Sequence, residues 1–349
     1  MLALAFKIHK KFKHKTKALG QPMNSELALC YYPTQVALID DNTNFLTALS
    51  LHMQQKYTCC TFDDPVAGLR FANYSASKIT NPLQNEELKN LAQSDFEDIV
   101  QLTFNQPGFL RDRQERYEEL SVVVVDYQMP NINGLEFCRQ LCNPNVKKIL
   151  LTSEISDMEV IQAFNEGLID YYVCKRNRDM VDELHQAIAR LQLEYFRDMS
   201  RQIKTRALEG ANAIFSDSAL SSHFFKICKE LEVLEYYFVT KPSRYILHTH
   251  SGKEISMLMF SSEELEKHIR IMEEEAAPSD LLAKVKSGEY LPYFSSSDGY
   301  YEPELEIWNS WLLPATRIKG KQDYYCAFYA PSANCPNHLP IANLVATFH

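Results

Sequence analysis

The sequence is short of several features that would have fixed its class at once. Its nine cysteines, at positions 30, 59, 60, 138, 142, 174, 228, 326 and 335, include no Cys-x-x-Cys pair. An odd count without that spacing argues against a disulfide framework and for reduced thiols. Cys138 and Cys142 are one helical turn apart, which fits one helix face better than a metal site. No apolar run approaches the ~20 residues a membrane helix needs. Met1 to Phe6 are too few for a signal-peptide core and precede the basic residues instead of following them. The expectation is a cytoplasmic protein. Positive charge is also scarce: 36 Lys and Arg against 45 Asp and Glu give a net charge of −9. That balance argues against a chain that generally coats nucleic acid. No helix-turn-helix with a basic second helix stands out, and no signature of a cyclic-nucleotide synthase or phosphodiesterase is present.

What is there suffices for two domains: 349 residues, 46% hydrophobic and 23% charged, an ordinary globular balance. Residues 1–30 read as a basic N-terminal extension, with six Lys, two His and no acid in the first twenty. Such an arm is either a solvated tail or a contact for anionic lipid or nucleic acid.

The organising stretch is Val122-Val123-Val124-Val125-Asp126-Tyr127-Gln128-Met129-Pro130. Four β-branched residues in a row predict a strand buried on both faces, in the middle of a parallel sheet. Asp126 at its carboxyl end either begins a turn or stands where open α/β sheets place their chemistry. Val36–Ile39 is a second strand, ending on Asp40-Asp41. Adjacent carboxylates repel, and a divalent cation relieves them; a helix cap with Asn42 and Thr43, ahead of Phe45, Leu46 and Leu49 at helical spacing, is the other reading. Thr58–Phe62, Lys148–Leu151 and Asp170–Cys174 complete five strands, alternating with helices at βαβ spacing. Residues 72–119 are polar and loosely periodic. They predict a helical insertion that lengthens one crossover or docks a partner.

The strands expected at the centre end in Asp40-Asp41, Asp126, Thr152 and Lys175. On a doubly wound sheet these ends converge, and carboxylates, a hydroxyl and an ammonium then suit an Mg²⁺-bound phosphoryl group. With those residues in place, plus Met129-Pro130 and Gly134-Leu135, residues 34–195 resemble the receiver domain of two-component response regulators. The resemblance implies a flavodoxin-like, doubly wound five-stranded parallel sheet. It also implies phosphorylation at Asp126 by a sensor histidine kinase or phosphotransfer protein. Mg²⁺ would be held by Asp41, Asp126 and the carbonyl of Gln128, with Asp40 assisting. Thr152, Lys175 and Tyr172 take the signalling positions. The chain departs from the family's pattern at Arg176, where a Pro is usual, and in the long Asp41-to-Asp126 spacing. Gln128 and Glu154 occupy positions that tune phosphate lifetime.

Residues 177–209 contain no Gly or Pro, and their apolar positions 181, 184, 188, 191, 195, 199 and 203 share one helix face. They predict a linking helix that either packs on its own domain or forms a homodimer seam. Residues 210–349 predict an α+β domain: Phe224 to Leu234 read as a helix, and the turn signals Lys241-Pro242-Ser243 and Ser251-Gly252-Lys253 join strands of an antiparallel sheet. There His248 and His250 fall on one strand face without a carboxylate or Cys at ligand spacing, so packing is favoured over a metal; Cys326 and Cys335 are equally weak. Residues 201–349 hold 15 basic against 19 acidic residues, too little positive charge for a DNA-binding output. The predicted function is a phosphorelay response regulator whose output is altered dimerisation or a protein or ligand interaction, with no enzymatic activity beyond its own phosphorylation and dephosphorylation. The rivals are a DNA-binding transcriptional output and an enzyme acting on a small molecule.

Overall fold

The computed structural model describes residues 26–78, 114–153, 157–206, 212–239, 242–294, 299–303, 311–330 and 339–340. The basic arm, most of the predicted insertion, Glu154 and Cys335 lie outside these residues. The described residues fall into two compact units, one built from residues 31–78 and 114–206, the other from residues 26–30 and the described residues from 212 onward. The first strand, β1 (Cys30–Tyr31), pairs in the sheet of the second unit.

The first unit runs β2 (Gln35–Ile39), α1 (Thr43–Met53), β3 (Thr58–Phe62), α2 (Pro65–Lys78), β4 (Leu120–Asp126), α3 (Gly134–Arg139), β5 (Lys147–Thr152), α4 (Asp157–Asn165), β6 (Tyr171–Cys174) and α5 (Met180–Arg206). A short 3₁₀ turn, Gln114–Glu118, leads into β4. All five strands pair in parallel in the order β3-β2-β4-β5-β6. This is the doubly wound sheet that the strand pattern predicts.

The valine run sets the centre, with all seven residues of β4 buried. Side chains alternate across a strand, so Val122 and Val124 join a core with Leu46, Leu49 and Met53 of α1 and Leu184, Ile188 and Leu191 of α5. Val123 and Val125 join the opposite core, with Ala72, Phe137, Cys138, Val160 and Ala163 from the other three helices. A strand needing cover on both faces explains why helices alternate sides. The chain turns from β2 outward to β3, then back to β4 on the other flank. A crevice therefore opens beyond the carboxyl ends of β2 and β4.

The linking helix runs without a break for 27 residues. Its apolar face is taken up inside this chain: Leu184, Ile188, Leu191, Tyr195 and Met199 are all buried. Gln192, Phe196, Arg197 and Ser200 are buried as well, so between residues 191 and 200 only Glu194 and Asp198 are half-buried.

The second unit continues with α6 (Asn212–Phe215), α7 (Ser218–Glu230), β7 (Val233–Val239), β8 (Arg244–Thr249), β9 (Glu254–Ser261), α8 (Ser262–Glu274), α9 (Ser279–Lys286), β10 (Tyr290–Pro292), β11 (Leu312–Lys319), β12 (Asp323–Ala330) and β13 (Leu339–Pro340). Its sheet has the order β1-β7-β8-β9-β12-β11-β10, with β13 on β12. The pairs from β7 to β13 are antiparallel, as the turn signals predict. The helix expected over Phe224 to Leu234 stops earlier, because Glu232 takes a left-handed conformation at φ 50°, the usual way a helix is ended. Val233 and Leu234 then open β7.

Residues 26–30, in the stretch read as a basic extension, contribute to this second unit. Leu27, Ala28, Leu29 and Cys30 are fully buried. Leu27 N–H donates to Phe215 O (2.8 Å), Phe238 N–H to Leu29 O (2.7 Å) and Tyr245 O–H to Ala28 O (2.8 Å). The chain thus starts the second unit, builds the first, and returns.

Asp217 fastens α7 to the β11–β12 hairpin. Its carboxylate accepts from Ala219 N–H (2.8 Å), Leu220 N–H (3.2 Å) and Lys321 N–H (2.6 Å). Burial alone would raise its pKa; the three backbone donors, together with the Tyr324 hydroxyl, outweigh that and hold it below the ordinary value. A depressed carboxyl stabilises above the unfolded pKa and loses that contribution as pH falls through the folded one. At pH 7, Asp217→Ala should cost about 2–4 kcal/mol in urea unfolding, a cap plus a charged hydrogen bond, and the gap from wild type should close in acid. A Cβ on Gly320 would sit 2.5 Å from both Asp217 carboxylate oxygens, so Gly320→Ala should destabilise the same unit.

Candidate functional site

The crevice beyond β2 and β4 collects charge. β2 delivers Asp40 and Asp41, and β4 delivers Asp126. One carboxylate oxygen from each lies within 4.8 Å of the others, and among the described residues this is the group suited to hold a metal ion. Asp40 and Asp126 are buried, at 1% and 6% exposure, whereas Asp41 faces solvent. The Lys175 ammonium, just past β6, bridges the two buried ones, at 2.6 Å from Asp40 Oδ2 and 2.7 Å from Asp126 Oδ1.

Several local features hold these groups in place. Asp40 Oδ1 accepts from Asn42 N–H at 3.0 Å, and Asn42 caps α1 by accepting from Phe45 N–H at 3.1 Å. The metal and cap readings of this stretch are therefore divided between neighbours: Asp40 stays in the cleft and Asn42 caps. Lys175 N–H donates to Thr152 O at 2.8 Å, which ties the end of β6 to the end of β5. Asn133 caps α3, the helix that follows the loop after Asp126. Gly134 is required there, because a Cβ would lie 2.7 Å from Leu150 Cδ1 and closer still to the Asp126 carbonyl oxygen.

Burial is the main influence on Asp126 and raises its pKa. The Lys175 hydrogen bond and charge lower it, while Asp40 and Asp41 raise it again. The set fits a hard divalent cation on its own chemistry. Three carboxylates crowd one spot, one is open to solvent, and a single ammonium compensates the two that are buried.

The register places the remaining predicted residues. Asp126 pairs with Leu151, so Thr152, 3% exposed, ends β5 one step beyond it; Thr152 pairs with Cys174, and Lys175 follows. The structure thus brings Asp40, Asp41, Asp126, Thr152 and Lys175 to the same ends of neighbouring strands. Tyr172 lies apart from them on β6, 42% exposed, its ring edge-on to Phe164 of α4 at 6.2 Å between centroids. The Gln128 side chain is exposed. Two residues of this neighbourhood are legible in the sequence only for their part in the helix. Asn42 was visible as a cap. Phe45 was visible only as an apolar position of α1, yet its ring centroid lies 4.6 Å from the Lys175 ammonium.

Residues 80–189 match the family of the response regulator receiver domain. The match begins beyond Asp40 and Asp41, but the strand they follow, β2, pairs with β4 in the same sheet. No curated protein matches the sequence. Among solved structures, the response regulator LqsR of Legionella pneumophila is 25% identical, with 94% of this chain and 98% of that chain covered and a TM-score of 0.71. A CheY-like response regulator receiver domain protein of Methanospirillum hungatei JF-1 is 15% identical over 49% of this chain and 98% of that one, with a TM-score of 0.31.

The histidine pair of the second unit is not a shared face. β8 ends at Thr249, so His250 lies in the turn, where its N–H donates to Glu232 O at 2.9 Å. His248 sits between two carboxylates from the flanking strands, with Nδ1 2.8 Å from Glu235 and Nε2 3.2 Å from Glu254. Burial would lower its pKa; the hydrogen bonds to Glu235 and Glu254 outweigh this and raise it to about 9. A raised histidine stabilises fully below its unfolded value near 6.5 and loses that contribution as pH rises through the folded one. Stability of the protein should therefore fall by about 2–3 kcal/mol between pH 6.5 and 9.5. In His248→Gln this slope should vanish in chemical denaturation across that range.

Proposed function

We propose that this chain, which carries a response regulator receiver domain, accepts a phosphoryl group on Asp126 and converts it into a changed protein-binding surface. The observation that carries the reading is the Lys175 ammonium bridging Asp40 and Asp126 in a cleft that Asp41 completes. A partner histidine kinase or phosphotransfer protein would supply phosphohistidine, and a small phosphodonor could substitute for it. Asp40, Asp41, Asp126 and the Gln128 carbonyl would hold Mg²⁺, which when bound supplies positive charge to the phosphoryl oxygens.

The chain's own residues do the rest. The Lys175 pair favours the ionised Asp126 against the burial that disfavours it. An ionised carboxylate oxygen attacks phosphorus in line, the P–N bond to the donor imidazole breaks, and the imidazole leaves with its electron pair. Little covalent machinery is needed; position and charge account for the rate. Once Asp126 is an acyl phosphate, its carboxylate charge has moved outward onto phosphoryl oxygens. Lys175 then follows that charge, and the Thr152 hydroxyl donates to a phosphoryl oxygen. Tyr172, half exposed and resting on Phe164, turns into the space Thr152 leaves.

The surface that would change is apolar. Met158 and Ile161 of α4 are 80% and 57% exposed, beside Phe164 and Tyr172. Large apolar side chains grouped on a surface mark an interaction face. A phosphoryl group that draws Tyr172 inward alters that face, by protein or homodimer contact, without the second unit having to bind DNA.

With Mg²⁺ and a small phosphodonor, wild type should gain one phosphoryl group by intact mass, and Asp126→Asn none. Asp41→Ala should slow uptake at least about tenfold, the lower end of what losing even an outer-shell partner of a metal ligand costs. Lys175→Ala and Thr152→Ala should still be phosphorylated while the fluorescence or exchange response of the Tyr172 face disappears. Uptake by Asp126→Asn at the wild-type rate would move the acceptor elsewhere.

A further inference from the structure

Phe45 lies in a closed circuit of contacts around the cleft. Asp40 Oδ1 holds Asn42 N–H at 3.0 Å, Asn42 Oδ1 holds Phe45 N–H at 3.1 Å, and the Phe45 ring centroid lies 4.6 Å from Lys175 Nζ. Lys175 closes the loop on Asp40 Oδ2 at 2.6 Å, and on Asp126 at 2.7 Å. The ring is partly buried and packs against the core that α1 shares with β2 and β4, so it cannot swing away freely. The Lys175 side chain is only 17% exposed. A partly desolvated ammonium near an aromatic ring is held by the ring quadrupole more firmly than one in water.

We propose that Phe45 is a positioning residue that anchors the Lys175 ammonium against Asp40 and Asp126, and so sets how readily those carboxylates accept a divalent cation. The inference rests on the reading of this cleft as the phosphoacceptor site. The ammonium and a divalent cation draw on the same two buried carboxylates, and their like charges repel. Whatever anchors the ammonium there weakens the cation. The same anchor keeps Lys175 at hand for the charge that appears on a phosphorylated Asp126. The ring does nothing to substrate directly; it acts through Lys175.

The test is a double-substitution cycle read by Mg²⁺ affinity of the unphosphorylated full chain, in isothermal titration calorimetry. Phe45→Leu keeps an apolar group on the core and removes the quadrupole. It should tighten Mg²⁺ binding about three- to tenfold, the range that a cation–π contact of this exposure spans. In a Lys175→Met background the same substitution should change nothing, since the ammonium it acts through is gone. Phe45→Tyr, which keeps the quadrupole, should restore wild-type affinity. Where Phe45→Leu fails to fold, fluorinated phenylalanine at position 45 grades the quadrupole at nearly constant size, and affinity should climb with each fluorine. Equal affinities in wild type and Phe45→Leu, or an equal change in both Lys175 backgrounds, would overturn the inference and leave the phosphoacceptor reading standing. Absence of any Mg²⁺ heat from wild type would overturn that reading, and the inference with it.

Discussion

Like charge held close together in a poorly solvated cleft is the constraint on which the first unit turns. Asp40 and Asp126 are nearly inaccessible to water, Asp41 adjoins them, and one ammonium compensates the buried pair. Such an arrangement does not minimise the energy of the free protein. Removing carboxylates from water costs several kcal/mol per ion even after relaxation, and the raised pKa of Asp126 shows that the lysine does not fully offset burial and its acidic neighbours. A site under this strain responds to whatever brings positive charge or carries negative charge outward, which are the two events that phosphoryl transfer requires.

The other end of β4 is built on the opposite principle. Glu119, immediately before the strand, is buried, yet both its oxygens are taken, by Tyr32 O–H and Tyr195 O–H. Thr34 and Ser121 hydroxyls meet at 2.6 Å, and Gln192 donates to Thr34 at 2.9 Å. Burial raises the Glu119 pKa and the two tyrosines lower it. Here a buried acid has neutral donors fixed by packing, with the rings of Tyr31, Tyr32 and Tyr195 all edge-on to Phe196. Removing either tyrosine would strand part of a carboxylate without a partner, the costly half of hydrogen-bond energetics. The central strand thus joins a charge-frustrated end to a satisfied one, and the satisfied end fixes the second half of α5 on its own unit.

Much of this was legible in the sequence, for identifiable reasons. Four consecutive valines leave no exposed face, so they located the middle of a parallel sheet. Chemically active residues at the strand ends located the cleft, since a doubly wound order brings those ends together whatever lies between them in the chain; even the long excursion between Asp41 and Asp126 does not matter once β2 and β4 pair. What escaped needs information that spacing does not carry. The Glu235 and Glu254 partners of His248 sit on strands to either side of it, and only the register reveals them. β1 is two residues long and its partner lies some two hundred residues on, too short to produce a period and too distant to produce a turn signal. The end of α7 turned on one residue, Glu232, adopting a conformation that non-glycine residues rarely take. Phe45 read as a core position because on the core side it is one.

That last case carries a more general point about the cleft. An aromatic residue in the first turn of α1 serves two masters: it packs against the apolar core, and its ring meets the Lys175 ammonium. The cap at Asn42 contributes to this geometry, since the same side chain that starts the helix accepts from Phe45 N–H, while Asn42 N–H donates to Asp40. Helix start, metal-competent carboxylate and lysine anchor are therefore one linked unit and not three independent features. A change that loosens the cap must be felt by Lys175, and a change in the charge around Lys175 must be felt by α1. The coupling runs through short contacts of named residues, each on rigid structure, so the helix that follows the acidic pair is as much a part of the charge balance as the acids themselves.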